Sequence, residues 1–91
     1  MTGYKLTKVV YDGGMDNNDA VTAKIATELR VARERIQGER PTNTAIGKQV
    51  GISTMAVGRY LNGERAIPIP TFIAICRVLG VDPGQILDNL D

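Results

Sequence analysis

The stretch KQVGISTMAVGRYLNGER, residues 48–65, contains two helical patterns that meet at a glycine. Gly51 stands at that junction, Gly58 and Gly63 follow, and Gly47 comes just before the stretch. Because a glycine in a helix interior costs about 1 kcal/mol relative to alanine, each position needs a physical reason. We predict that Gly51 supplies a left-handed turn, Gly47 a close crossing of two helices and Gly58 an uncluttered outer surface.

The apolar spacing and capping residues on both sides of this stretch predict five helices. The first helix is predicted to be capped by Asn18 or Asp19 and to end at Gly38. The second runs from Thr42 to Gly51, and the third from Ser53 to Asn62-Gly63. The fourth runs from Pro68 to Gly80, and the fifth begins at Asp82. The predicted inward-facing residues are Val21, Ile25, Leu29, Ala32, Ile36, Ala45, Ile46, Val50, Val57, Tyr60, Leu61, Ile69, Phe72, Ile73, Cys76, Leu79, Ile86, Leu87 and Leu90. The fold class is therefore all-α, a compact five-helix bundle.

Two short helices joined by about three residues, with glycine first in the turn, are the elements of a helix-turn-helix. We place that motif at about residues 43–62, within a domain that spans residues 19–91. Residues 1–18 read differently: YKLTKVVYDGG has β-propensity followed by a turn signal. That segment is either a flexible N-terminal arm or a short strand, which would need a partner strand to be stable.

The composition limits the class of protein. Ninety-one residues form one small domain, and a hydrophobic fraction of 43% is that of a globular chain. With no histidine, a single cysteine and no glycine-rich phosphate loop, we expect no enzyme activity, no metal and no cofactor. Because the sequence shows no membrane span and no secretory signal, we expect a cytoplasmic protein. The single cysteine, Cys76, lies on the inward stripe and is expected to pack as a small hydrophobe.

Charge is distributed unevenly along the chain, although the net charge is only +1. From Arg30 to Arg77 there are eight basic and three acidic residues, whereas the remainder has three basic and seven acidic residues. A directed basic surface favours nucleic acid as the partner. Within it, Arg30, Arg33 and Arg35 are expected to form a solvated face of the first helix.

The segment TNTAIGKQVGISTMAVGRYLNGER resembles the helix-turn-helix of the phage lambda repressor and Cro family, also called the XRE-type domain. The resemblance continues through AIPIPTFIAICRVLGVDPGQIL and covers roughly residues 19–90, with VGIS, RYLNGER and LGVD as its most specific pieces. It implies a lambda-repressor-like bundle that binds double-stranded operator DNA as a homodimer, with the third helix in the major groove.

The resemblance also implies roles for individual residues. Base contacts are expected from Thr54, Met55 and Arg59 on the third helix. Contacts with the DNA backbone are expected from Asn43, Thr44, Lys48, Ser53, Gly58, Asn62 and Arg65. Asn43 stands where the family usually has a glutamine that contacts a phosphate and braces the third helix. For Lys48, phosphate contact and plain exposure both stay open.

These observations predict a sequence-specific DNA-binding regulator of transcription, a small repressor of the phage immunity or Cro kind. Its dimer surface is expected on the fifth helix, through Leu87 and Leu90, or on the N-terminal segment. The alternative is a protein-interaction module, such as an antitoxin-like subunit that neutralises a partner protein, because a fold is compatible with several functions.

Overall fold

The computed structural model describes residues 17–90, and these residues form five α-helices with no strand among them. The helices are α1 (Asn17–Glu34), α2 (Asn43–Val50), α3 (Thr54–Leu61), α4 (Ile69–Leu79) and α5 (Pro83–Asp88). The predicted all-α, five-helix class is therefore confirmed. The predicted N-terminal arm or strand lies outside the described residues, except that its last two positions, 17 and 18, belong to α1.

One apolar core joins all five helices, and the described residues place no polar side chain inside it. The core is aliphatic except for one aromatic ring and one thiol, as the low aromatic content of the sequence requires. Its buried members are Ala26, Leu29, Ile46, Val57, Leu61, Phe72, Ile75, Cys76, Leu79 and Ile86. Burial of these aliphatic side chains is the main stabilising contribution to a bundle of this kind.

The caps of α2 and α3 are those that the sequence predicts. The Thr42 hydroxyl accepts a hydrogen bond from the Ala45 amide at 3.1 Å, and the Ser53 hydroxyl accepts one from the Ala56 amide at 3.0 Å. Each cap satisfies one of the amides that the first turn of a helix leaves without a partner. Both helix starts are therefore fixed by short-range chemistry.

The boundaries of α1 differ from the prediction. The helix begins at Asn17, so Asp19 lies within its first turn rather than at the cap. It ends at Glu34, and the Ile36 amide bonds the Arg33 carbonyl at 3.2 Å in a tighter turn. This turn keeps Ile36 packed against the core after the helix has ended.

Three residues predicted to face inward lie at the surface. Ile69 is 72% exposed, Val21 42% and Leu87 51%. Each lies near a helix end: α5 has only six residues, and Ile69 occupies the first position of α4. In α4 the buried set instead includes Ile75, which the predicted stripe omitted.

Candidate nucleic-acid interface

The turn between α2 and α3 is built on two glycines. Gly51 has a φ of 87°, and its amide donates to the Gly47 carbonyl at 2.7 Å. The Ile52 amide donates to the same carbonyl at 3.0 Å, which closes the turn. Since a Cβ on Gly47 would lie 2.6 Å from the Ile52 carbonyl oxygen, the close approach predicted at Gly47 exists. Its partner is the backbone of the turn, however, rather than the body of α3.

The three predicted base-contacting residues lie on the outer surface of α3. Thr54, Met55 and Arg59 are all exposed, and Met55 is 65% exposed although it is apolar. Met55 and Arg59 lie on the side of the helix opposite Val57 and Leu61, which are buried in the core, whereas Thr54 is exposed because it is the first residue of the helix. The side chains of these three residues are therefore available to a ligand, while Val57 and Leu61 anchor α3 in the core.

The N-termini of α2 and α3 meet at a pair of hydroxyl groups. The Thr54 hydroxyl donates to the Thr44 hydroxyl at 3.2 Å, and both side chains are exposed. Ser53, the exposed cap of α3, immediately precedes Thr54. Three of the predicted contact residues are thus brought to one edge of the motif, where helix N-termini favour anionic ligands.

Asn43, the first residue of α2, lies between α1 and α3. Its side-chain oxygen accepts a hydrogen bond from the Arg33 guanidinium at 2.7 Å. On its other side is Gly58, where an added Cβ would lie 3.6 Å from the Asn43 amide nitrogen. Gly58 is half-buried against this amide, so its outer surface is less open than the sequence predicts.

The remaining predicted contacts are Asn62 and Arg65, which follow α3, and Lys48 on α2. The Asn62 amide donates to the Glu64 carboxylate at 3.4 Å, and its backbone is right-handed, while Gly63 takes the left-handed conformation. Arg65 is exposed next to a groove that Tyr60 also lines, and Lys48 is exposed in the last turn of α2.

Two arginines of the predicted solvated face bond to the motif, although Arg30 is exposed as predicted and only Arg33 is half-buried. The Arg30 guanidinium donates to the carbonyl of Leu61, the last residue of α3, and to the Thr27 hydroxyl at 3.2 Å. Arg33 reaches Asn43 as described above, whereas Arg35 is exposed and makes no polar side-chain contact with the described residues. Arg30 and Arg33 are three positions apart and share one face of α1. That spacing was the available signal for two positioning residues that sequence reasoning missed.

Other kinds of site have little support in the described part of the chain. Residues 17–90 contain no group of histidine, cysteine and carboxylate side chains able to hold a metal ion. Cys76 is buried, and its burial together with the nearby Asp82 carboxylate raises the pKa of its thiol to about 11. That thiol is protonated at neutral pH and therefore a poor nucleophile. None of the described helices has the length and apolar character of a membrane-spanning segment.

Comparison with known families agrees with this geometry. A family model described as helix-turn-helix matches residues 42–86, which run from the cap of α2 into α5. Searches of curated proteins and of solved structures find no match to the chain. The matched segment contains the whole α2–turn–α3 unit and the helix that buttresses it. Residues 42–86 therefore match the helix-turn-helix family of the lambda repressor and Cro type, whose members are DNA-binding regulators of transcription.

Proposed function

We propose that this protein is a small repressor, of the phage immunity or Cro kind, that binds operator DNA as a homodimer. One observation carries the proposal: α3 presents Met55 and Arg59 to solvent on its outward face and Thr54 at its N-terminal end, while Val57 and Leu61 fix its inner face in the core. A rigid helix with an exposed arginine and an exposed apolar side chain suits the major groove of DNA. There, arginine pairs with guanine and apolar groups contact the thymine methyl group.

Phosphate contacts would set the position of α3 in the groove. The proposed backbone-contacting residues supply neutral donors at one edge of the motif and cations around it. These residues are Asn43, Thr44, Lys48, Ser53, Gly58, Asn62 and Arg65. Between residues 43 and 65 the chain has three basic residues and a single acidic one, Glu64, so the surface attracts a polyanion. Cations that neutralise phosphates release counterions, and that release supplies much of the affinity.

A second copy of the chain is proposed because one recognition helix reads too few base pairs for useful selectivity. The proposed dimer surface is α5. Leu87 on this helix is 51% exposed, and Leu90, which follows it, is half-buried. The two leucines are an apolar pair, and α5 itself packs on α1 and α4. Repression would follow from occupancy, since a bound dimer excludes polymerase from overlapping DNA.

Selection from random DNA tests this function. Purified protein is mixed with random-sequence duplexes at low salt, and retained duplexes are sequenced after several rounds. We expect enrichment of two inverted half-sites with centres about one helical turn, roughly 34–36 Å, apart. A Leu87→Glu variant should lose the paired arrangement, whereas Asp88→Lys, at the neighbouring exposed position, should retain it.

Failure to enrich any sequence, by a protein shown to be folded, would overturn the proposal. The interaction-module alternative would then be tested with candidate partner proteins. The two functions also differ in salt dependence, because binding through several phosphates weakens steeply with salt while a mostly apolar interface does not.

A further inference from the structure

The hydrogen bond between Arg33 and Asn43 fixes the orientation of the asparagine side chain. A guanidinium group has only donors, so the atom that faces it at 2.7 Å must be the amide oxygen, Oδ1. Both residues are half-buried, which shields this charged hydrogen bond from competing water. The Asn43 amide therefore cannot turn over without losing a charge-assisted partner.

The amide nitrogen of Asn43 is directed away from Arg33 and toward α3. Within residues 17–90 it has no hydrogen-bond acceptor in the protein. The nearest position on α3 is Gly58, and a Cβ there would lie 3.6 Å from this nitrogen. Because Gly58 has no side chain, no Cβ at that position of α3 covers the amide hydrogens.

We infer that Arg33 is a positioning residue that holds Asn43 as a hydrogen-bond donor to a DNA phosphate across Gly58. The inference rests on the proposed DNA-binding function. Phosphate oxygens are acceptors, so an asparagine that presented its own oxygen would repel the ligand. The hydrogen bond from Arg33 excludes that orientation of the Asn43 side chain. The guanidinium also places a positive charge behind the amide nitrogen that donates.

A purely structural role for Arg33 leads to different expectations. If the residue only tied α1 to α2, its loss would lower the stability of the domain and weaken binding to every DNA alike. If it acts through Asn43, its loss affects the contact with one phosphate. A binding measurement that isolates that phosphate distinguishes the two roles.

The experiment uses an operator from the selection above, with single phosphates replaced by uncharged methylphosphonates. The phosphate that Asn43 contacts is identified first: its replacement weakens binding of the wild-type protein but does not weaken binding of the Asn43→Ala variant. Arg33→Met is then compared with Arg35→Met, which removes the same charge two residues away, where no polar contact is lost. Thermal unfolding of each variant confirms that it is folded at the assay temperature.

We expect Arg33→Met to weaken operator binding roughly tenfold, which corresponds to about 1.4 kcal/mol. It should also lose most of the methylphosphonate effect at the Asn43 phosphate, and the Arg33→Met/Asn43→Ala double variant should bind no more weakly than Asn43→Ala. Arg35→Met should keep the full effect. Arg33→Lys, which retains a charged donor, should recover most of the affinity.

Asn43→Asp gives a second readout that does not require Arg33 to be changed. The carboxylate still accepts from Arg33, so the domain stays folded, but it presents a negative acceptor to the phosphate. We expect operator binding to fall at least tenfold, and wild-type affinity would overturn the inference. An unchanged methylphosphonate effect in Arg33→Met would overturn it while leaving DNA binding intact, whereas a wild-type protein that binds no DNA would overturn the proposed function itself.

Discussion

The Arg30 guanidinium donates a hydrogen bond to the carbonyl of Leu61, the last residue of α3. Helix α3 leaves its final carbonyls without intrahelical partners, and its C-terminus carries partial negative charge. A cation from α1 therefore satisfies a carbonyl at the end of the proposed recognition helix. Together with the Arg33–Asn43 bond, this contact fixes α1 to both helices of the motif.

Replacement of Arg30 by methionine should lower the free energy of unfolding by about 1 kcal/mol, because a charged hydrogen bond is lost at a partly exposed site. Urea denaturation measures the change. Arg35→Met is the matched control, since Arg35 is exposed and has no polar side-chain partner among the described residues. Equal unfolding free energies for the two variants would show that the Leu61 contact contributes nothing.

Replacement of Gly47 by alanine should destabilise the domain despite the better helix propensity of alanine. The new Cβ would lie 2.6 Å from the Ile52 carbonyl oxygen, a main-chain atom that cannot move without opening the turn. We expect a loss of about 1–3 kcal/mol, the usual range for overpacking. Gly84→Ala in α5 is the control, because its Cβ would meet its nearest atom at an ordinary 3.6 Å. A Gly47→Ala variant as stable as the wild type in thermal melts would mean that the turn relaxes easily.

The Cys76 thiol should make stability depend on pH in alkaline solution. Burial, with a smaller contribution from Asp82, raises its pKa from 9.0 to about 11 in the folded state. Between these values the unfolded chain loses the proton and the folded chain keeps it, so stability falls as the pH rises from about 9 to 11. The contribution is fully present below pH 9. Urea denaturation across this range should show a shallower decline for Cys76→Ala than for the wild type, and parallel curves would contradict the burial argument.

The sequence predicted features that depend on a few neighbouring residues. The Thr42 and Ser53 caps are local, and so is the Gly51 turn, which needs only its own backbone conformation and the residues on either side. The exposed surface of α3 was also predictable, because the buried Val57 and Leu61 define its opposite side. These features need no knowledge of how distant parts of the chain pack.

Features that depend on tertiary packing were not predictable from one sequence. The spacing of Arg30 and Arg33 places them on one face of α1, but it does not show that the motif packs against that face and that Arg35 has no such partner. Likewise Ile69 has the apolar character of a core residue, but it lies beyond the surface that α4 buries and is 72% exposed. The position of a neighbouring helix determines which group an arginine bonds to. It also determines which apolar residues of a helix are buried.

Replacement of Gly58 by alanine should stabilise the fold and weaken DNA binding. The Cβ would make ordinary contact, 3.6 Å from the Asn43 amide nitrogen, so the substitution should gain up to about 1 kcal/mol of helix propensity. The same methyl group would cover the proposed phosphate donor. Thermal melts and operator titrations on the same samples measure both effects. Tighter operator binding by Gly58→Ala would show that the uncovered amide is not used.

Replacement of Arg59 by alanine should weaken operator binding without changing the fold. Arg59 is exposed on α3, so we expect its loss to alter the free energy of unfolding by less than about 0.5 kcal/mol. If it pairs with guanine, affinity should fall by about 1–3 kcal/mol, and discrimination at one base pair should be lost with it. Arg77→Ala is the matched control, because it removes an equal charge from the exposed side of α4. Titrations against the selected operator and its single-base variants separate the two effects: a uniform decrease for every base variant would assign Arg59 to the phosphates rather than to base recognition.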